Sequence, residues 1–281
     1  MDKIKIGFIG GLSNGKIVFD YLKSNKFVEL VVSLTYVNDS DKQKSEVLKG
    51  NLIESNSAND FKQKFIESDL DIIIVAGWSE LLTEELINCA KIGTFGFHPA
   101  ILPQDRGRSV VAWQIEDGYT KSGLTFFKYN DYPDGGDIVA IEEYRIENSD
   151  YVSDVLDKVN RASYNIMKAY FPLLRKGLIE YRKQDLSIGN FRRLRSDLDS
   201  EINWNSNSQV IYNKVRAVAR PYPMAFFLLN DERYYVNRSE IISFDIGEDE
   251  EPGTLVATLF DDSLVFKTKD GFIRLSEVLK K

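Results

Sequence analysis

The sequence predicts an α/β domain built on a mostly parallel sheet, followed by a small β-barrel-like module. Three observations predict this. Strand and helix patterns alternate through residues 4–98. The strands there are apolar almost throughout, as strands covered by helices on both faces must be. After about residue 205 the texture changes to short strands punctuated by Asn-Asp, Asp-Asp and Asp-Gly turns, the pattern of a small β module.

In chain order, IKIGFIGG (4–11) is a buried strand that ends in glycines. NGKIVFDYLKSN (14–25) has helical spacing at Ile17, Tyr21 and Leu22. VELVVSLTYV (28–37) is the second strand, and 38–51 is a polar connection. NDFKQKFIESD (59–69) reads as a helix with Phe61, Phe65 and Ile66 on one face. DIIIVAGW (71–78) is a strand, TEELINCAKI (83–92) a helix, and GTFGFH (93–98) a short strand. Thr83 is an N-cap candidate, with Glu84 and Glu85 favourable in the first turn. GLTFFKYN (123–130) and DIVAIEEYRI (137–146) are strands joined by DYPDGG, expected as an antiparallel edge. Residues 151–177 form a long helix with a stripe of Val152, Val155, Val159, Ile166, Tyr170 and Leu173. Pro172 should kink or stop it. A polar stretch after 178 reads as a crossing linker, QVIYNKVRAVA (209–219) as a helix, and the remainder as short strands. The domain boundary falls between 190 and 205, and the sequence holds no internal repeat or low-complexity segment.

Composition narrows the function. The net charge is −7, so the chain is poorly suited to broad binding of a nucleic-acid backbone, which Lys and Arg drive. One Cys (Cys89) and one His rule out an internal disulfide and a multi-Cys zinc site, and no metal site is expected. The N-terminal apolar run is too short for a signal peptide, and no run is long enough to span a membrane. The expectation is a soluble cytoplasmic protein with no membrane partner. GGLSNGKI (10–17) follows a phosphate-binding loop as far as Lys16, but Ile17 stands where Mg²⁺ needs Ser or Thr. It reads as a strand-to-helix glycine turn whose helix start can still meet an anion.

His98, the only histidine, stands out. It ends a strand of the parallel sheet, at the edge where such folds bind ligands. It precedes a stiff segment, PAILP, and a downstream loop supplies Asp131, Asp134 and Asp137 as carboxylate partners for proton transfer.

HPAILPQDRGRSVVAWQI, with the following GLTFFKYNDYPDGGDIV, resembles the folate-dependent formyltransferases. Their pattern is Asn-x-His-(Pro/Ala/Gly)-Ser-Leu-Leu-Pro-x-x-Arg-Gly and then an Asp-x-Gly-Asp-Ile loop. Residues 71–140 align without gaps. The segments after 196 are similar to the small C-terminal barrel of methionyl-tRNA formyltransferase and of some amino-sugar formyltransferases. The resemblance implies a Rossmann-like formyltransferase domain over 1–190, a linker at 191–204 and an OB-like barrel over 205–281. It places His98 and Asp137 as catalytic residues. It implies a 10-formyltetrahydrofolate site lined by Glu80, Leu81, Leu82, Ala100, Ile101, Leu102, Pro103, Arg108, Pro133, Asp134, Gly135 and Gly136.

One position departs from the pattern. The family's Asn, two residues before the His, is Gly96 here. That amide would donate to the formyl oxygen as it becomes an oxyanion, a contribution typically worth on the order of 10²–10³ in rate. Asn130 is the first substitute expected; Gln104, a backbone N–H and protonated His98 are the others.

The resemblance implies formyl transfer to a primary amine. Residues 221–281 carry more acid than base, and the basic cluster RRLR (192–195) is small, so the expected acceptor is a nucleotide-linked amino sugar of surface polysaccharide synthesis. Trp113, Arg106, Arg220 and Tyr222 are candidate contacts to it. A methionyl-tRNA formyltransferase, a formyl-donor hydrolase and a catalytically impaired folate- or nucleotide-binding homologue are the alternatives. A homodimer is among the permitted assemblies.

Overall fold

A computed structural model describes residues 3–37, 53–243, 245 and 249–280. The polar connection expected at 38–51 lies outside the described residues.

The chain forms two compact units that interleave in sequence. The first comprises 1–108, 122–144 and 156–192; the second comprises 109–121, 145–155 and 193–281. The first unit holds β1 (Ile4–Gly10), α1 (Leu12–Ser24), β2 (Val28–Thr35), β3 (Ile53–Glu54), α2 (Lys62–Ile66), β4 (Ile72–Ala76), α3 (Glu84–Ile87) and β5 (Gly93–His98). After a two-residue strand, β6 (Arg106–Gly107), comes α4 (Val110–Glu116) of the second unit, then β7 (Lys121–Lys128), β8 (Ile138–Arg145), α5 (Val152–Arg175) and β9 (Phe191–Arg192).

The main sheet has seven strands in the order β3-β2-β1-β4-β5-β7-β8. β1, β2, β3, β4 and β5 run parallel, and β7 pairs antiparallel with β5. The apolar strands are buried on both faces, as the sequence predicts. Ile72 and Ile74 pack with Phe8, Phe19 and Met167 on one side. Ile73 and Val75 pack with Phe65, Leu82 and Leu86 on the other. The glycine turn before α1 serves packing: a Cβ on Gly15 would meet the Ala76 carbonyl oxygen at 2.7 Å. The helix therefore sits directly against β4.

The expected elements are present, with four differences. The helix expected over 83–92 ends at Ile87, because the Lys91 and Ile92 N–H groups that a further turn needs donate instead to the Leu70 and Asp71 carbonyls. The helix at 59–69 is divided into a 3-10 turn, Asn59–Phe61, and α2, which leaves Ile66 39% exposed. In α5 the stripe runs through Met167, Phe171 and Leu174, so Leu173 points outward. Pro172 lies inside the helix, which stops three residues later. Finally, α4 is a helix that the sequence motif concealed.

The second unit holds α6 (Ser208–Val218) and a five-stranded antiparallel half-barrel of β10 (Ala225–Leu229), β11 (Glu232–Ile242), β12 (Leu255–Thr258), β13 (Leu264–Lys267) and β14 (Phe272–Lys280). Its strand order is β10-β11-β14-β13-β12. The Asn230–Asp231 turn joins β10 to β11 with both residues at positive φ (53° and 62°), the twist that a two-residue hairpin favours. Among the described residues, no helix is long and apolar enough to cross a membrane.

Candidate active site

His98 closes β5 at its carboxyl end, pairs across the sheet with Thr125 of β7, and is 5% exposed. Thr125 shapes the segment that follows. Its hydroxyl donates to the Ala100 carbonyl at 2.6 Å and accepts from the Leu102 N–H at 3.2 Å. This folds Ala100–Pro103 into a turn after the strand. The imidazole is gripped from both sides. Nε2 lies 2.7 Å from the Asp105 carbonyl oxygen; a carbonyl only accepts, so Nε2 carries the hydrogen. Nδ1 lies 3.5 Å from Asp134 Oδ1.

Each partner is itself fixed. The buried Asp105 carboxylate accepts from Arg192 Nε at 2.6 Å and Asn190 Nδ2 at 2.9 Å, while its backbone N–H donates to Asn190 Oδ1. Asp134 Oδ2 accepts from the Gly107 N–H at 2.8 Å. Gln184 donates to the carbonyls of Asp134 and Gly136 at 2.8 and 2.6 Å. The loop can turn this tightly because residue 136 is glycine: a Cβ there would meet the Lys128 carbonyl oxygen at 1.6 Å.

The loop's other residues have separate places. Asp137 accepts from the Lys128 N–H through its backbone carbonyl. Among the described residues its carboxylate makes no hydrogen bond or ion pair. It lies near Tyr181, whose phenol is pushed up mainly by burial and then by this charge. Asn130 is exposed. Its amide donates to the Gly135 carbonyl at 3.2 Å, and its Oδ1 accepts from the Tyr132 N–H at 3.0 Å. Both ends of that side chain thus serve the loop. Gln104 is exposed, with its N–H given to the Ile101 carbonyl.

Glu80 accepts four hydrogen bonds, from Ser57 Oγ, the Ala58 N–H, Asn59 Nδ2 and Trp78 Nε1. It orders the chain after β4 and has little capacity left for a ligand. Leu81 is 70% exposed, while Leu82 and Leu102 are buried. Pro133 and Arg108 are exposed, and Ile101 is half-buried. Arg106 is 3% exposed against the neighbouring rings of Phe191 and Tyr132, with Nη2 on the Ile188 carbonyl and Nε and Nη1 unpartnered among the described residues. Trp113, Arg220 and Tyr222 belong to the second unit. There Trp113 stacks under Arg193 and Arg195, the Arg220 N–H donates to Asn237, and burial raises the Tyr222 phenol.

Sequence reasoning missed Asp105, which acts through its backbone carbonyl, and Tyr129, whose ring lies over Gly96. No sequence pattern marks Tyr129, because only the cross-strand register brings its ring over Gly96. Among the described residues, no cluster of acidic, His or Cys side chains could hold a metal ion.

Residues 10–170 match the Formyl transferase family, and residues 196–281 match the Formyl transferase, C-terminal domain. A methionyl-tRNA formyltransferase of Mycoplasma mycoides is 25% identical, covering all of this chain and 92% of that protein. One from Staphylococcus aureus is 27% identical over 73% of this chain and 65% of that protein. HypX from Aquifex aeolicus, solved in complex with tetrahydrofolic acid, superposes with a TM-score of 0.76 at 15% identity. That match covers all of this chain and 45% of HypX, so the chain spans less than half the length of HypX. The N-formyltransferase from Helicobacter canadensis, in complex with folinic acid and dTDP-3-aminofucose, superposes with a TM-score of 0.72 at 17% identity, covering 98% of this chain and 100% of that one.

Proposed function

The chain belongs to the formyl transferase family and is a folate-dependent formyltransferase; from that premise we propose that its acceptor is the amine of a nucleotide-linked amino sugar. The observation that carries the acceptor class is the state of the basic cluster at 192–195. Arg192 Nε meets Asp105 at 2.6 Å, Arg193 Nη1 meets Asp199 at 2.7 Å, and Arg195 Nη1 lies 2.5 Å from Glu116. These arginines are neutralised by their own chain, whereas phosphate-backbone binding relies on cations free to replace counterions. The Helicobacter canadensis protein, of the same fold, is seen with such a nucleotide sugar.

The formyl donor, 10-formyltetrahydrofolate, fits the residues present. Leu81 is exposed and Ile101 and Pro103 are half-exposed, so each can offer apolar surface to a flat ring system. The Arg106 nitrogens that are unpartnered among the described residues suit an anionic group of either substrate.

In the proposed reaction, the neutral amine attacks the formyl carbon. His98 takes the amine proton and returns one to the departing folate nitrogen. With Nε2–H committed to the Asp105 carbonyl, Nδ1 is the nitrogen free to accept it, and the cation so formed faces Asp134. We assign Asp137 as the second carboxylate of the reaction, because it matches the catalytic Asp of the family motif and its carboxylate has no partner among the described residues.

A second reading, methionyl-tRNA formylation, is favoured by the Mycoplasma mycoides relative, whose match covers all of this chain and 92% of that protein. The two are separated by incubating the protein with 10-formyltetrahydrofolate and dTDP-, UDP- or GDP-linked amino sugars, or Met-tRNA, and following N-formyl products by mass spectrometry. Formylation of at least one sugar and none of the tRNA is expected. Formylation of the tRNA alone would refute the sugar proposal. Folate binding without any formylated product would point to the impaired homologue.

A further inference from the structure

We propose that the Tyr129 hydroxyl is the oxyanion donor of this site, occupying the space in which the family pattern carries its asparagine. This rests on the formyl-transfer reading above, but not on which acceptor is used.

The evidence begins with Gly96. A Cβ built there would meet Tyr129 Cε2 at 2.2 Å, Cζ at 3.0 Å and Oη at 3.0 Å. The phenol therefore fills the volume that an asparagine side chain at 96 would enter, and its oxygen stands next to that side chain's root. The two residues exclude each other: the glycine is what lets the ring lie down.

The face is also correct. Gly96 and His98 are two apart on β5, so their side-chain directions share one side of the sheet. The ring over Gly96 is thus on the His98 side. Across the strand, Gly96 pairs with Phe127 and His98 with Thr125, and the Tyr129 N–H extends the ladder by donating to the Thr94 carbonyl at 2.8 Å. Tyr129 is stacked on Phe127 with ring centroids 5.2 Å apart and planes 11° from parallel. A ring held this way presents its hydroxyl in a fixed place before the reaction begins, which makes such a donor effective.

The hydroxyl is available. Among the described residues it makes no hydrogen bond, so its proton is not spent on the fold. It also stays a proton donor: burial first, then the nearby Asp134 and Tyr36, pushes the phenol well above its ordinary value. Asn130, in contrast, spends its amide on the Gly135 carbonyl.

The balance of the step is simple. As the amine nitrogen bonds to the formyl carbon, the carbonyl π pair moves onto oxygen, where it accepts a hydrogen bond from Tyr129 O–H. His98 takes the amine proton. The pair returns as the bond to the folate nitrogen breaks, that nitrogen takes a proton, and Tyr129 keeps its own throughout.

The test reads release of free tetrahydrofolate by absorbance, with an amino sugar, Met-tRNA or water as acceptor, since each passes through the same oxyanion. Tyr129→Phe removes only the hydroxyl. It is expected to lower kcat about 10²–10³-fold while leaving the affinity for 5-formyltetrahydrofolate unchanged by calorimetry. The double variant Gly96→Asn/Tyr129→Ala, which makes room for the amide, should recover at least about tenfold over Tyr129→Ala, a partial return of the same donor effect. A Tyr129→Phe rate within threefold of wild type would overturn the proposal, as would an equal loss of folate affinity or a wild type that releases no folate with any acceptor. The identity of the formylated product tests the acceptor separately, so a tRNA-only enzyme would sink the sugar proposal and leave this one standing.

Discussion

At the scale of the residue, two of the loop's three carboxylates, Asp134 and Asp137, invite separation. Asp134 both faces the His98 ring and holds the Gly107 N–H, so its loss mixes chemistry with structure. Asp137 holds nothing with its carboxylate among the described residues, so any loss on Asp137→Asn without a change in melting temperature is chemical in origin. We expect kcat for Asp137→Asn to fall by at least about 10²-fold, the scale of lost general acid–base assistance, and His98→Ala to fall further. An unchanged kcat for Asp137→Asn would assign the carboxylate role to Asp134 alone. His98 was legible in the sequence because it is the only imidazole, at a strand end, in a dense motif. Asp105 was not legible, because it works through a backbone carbonyl that no side-chain pattern encodes. Tyr129 was hidden for another reason: its role depends on the cross-strand register that brings it over Gly96.

Among the elements, those with strong periodicity were legible and short ones were not. The apolar strands and α5 follow from pattern alone, whereas α3 stops early because the N–H groups of Lys91 and Ile92 donate to Leu70 and Asp71 instead of continuing the helix. The turn at Asp197–Ser200 depends on a local ionic clasp. Its capping box closes through Asp199, which accepts from the Ser196 N–H at 2.6 Å and from Arg193 Nη1 at 2.7 Å. The Arg193 hydrogen bond, chiefly, and then those from Ser196 hold the Asp199 carboxyl well below the usual range. A carboxyl depressed by folding stabilises the native state fully above the unfolded value, near pH 4, and loses that contribution as pH falls through its folded value. Since Arg193 is largely exposed, solvent screening keeps the gain small. Asp199→Asn should lower the melting temperature at pH 7, and the gap to wild type should close as pH falls towards 2. A gap that is constant with pH would show that the clasp is not ionic.

For the whole molecule, two family domains were legible from texture and motif, but the division of the chain was less so. Segments 109–121 and 145–155 belong with the C-terminal unit, and only tertiary contacts reveal that. Charge acts at this largest scale, and it makes the proposed acceptor class testable without identifying the compound. A protein that grips a tRNA through 6–10 phosphates loses roughly 10³–10⁵ in affinity between about 50 and 200 mM salt. A nucleotide diphosphate presents few charges to one or two arginines, and burial shields such contacts from salt. With net charge −7 and the 192–195 arginines already paired, the acceptor KM should rise less than about tenfold across that range. Arg193→Ala and Arg195→Ala, which release the carboxylates those arginines cover, should change the acceptor KM less than about threefold, because neither cation is free to hold a phosphate. A steep salt slope that these substitutions flatten would mean that the arginines leave their carboxylates to bind a polyanion, and the acceptor would then be a nucleic acid.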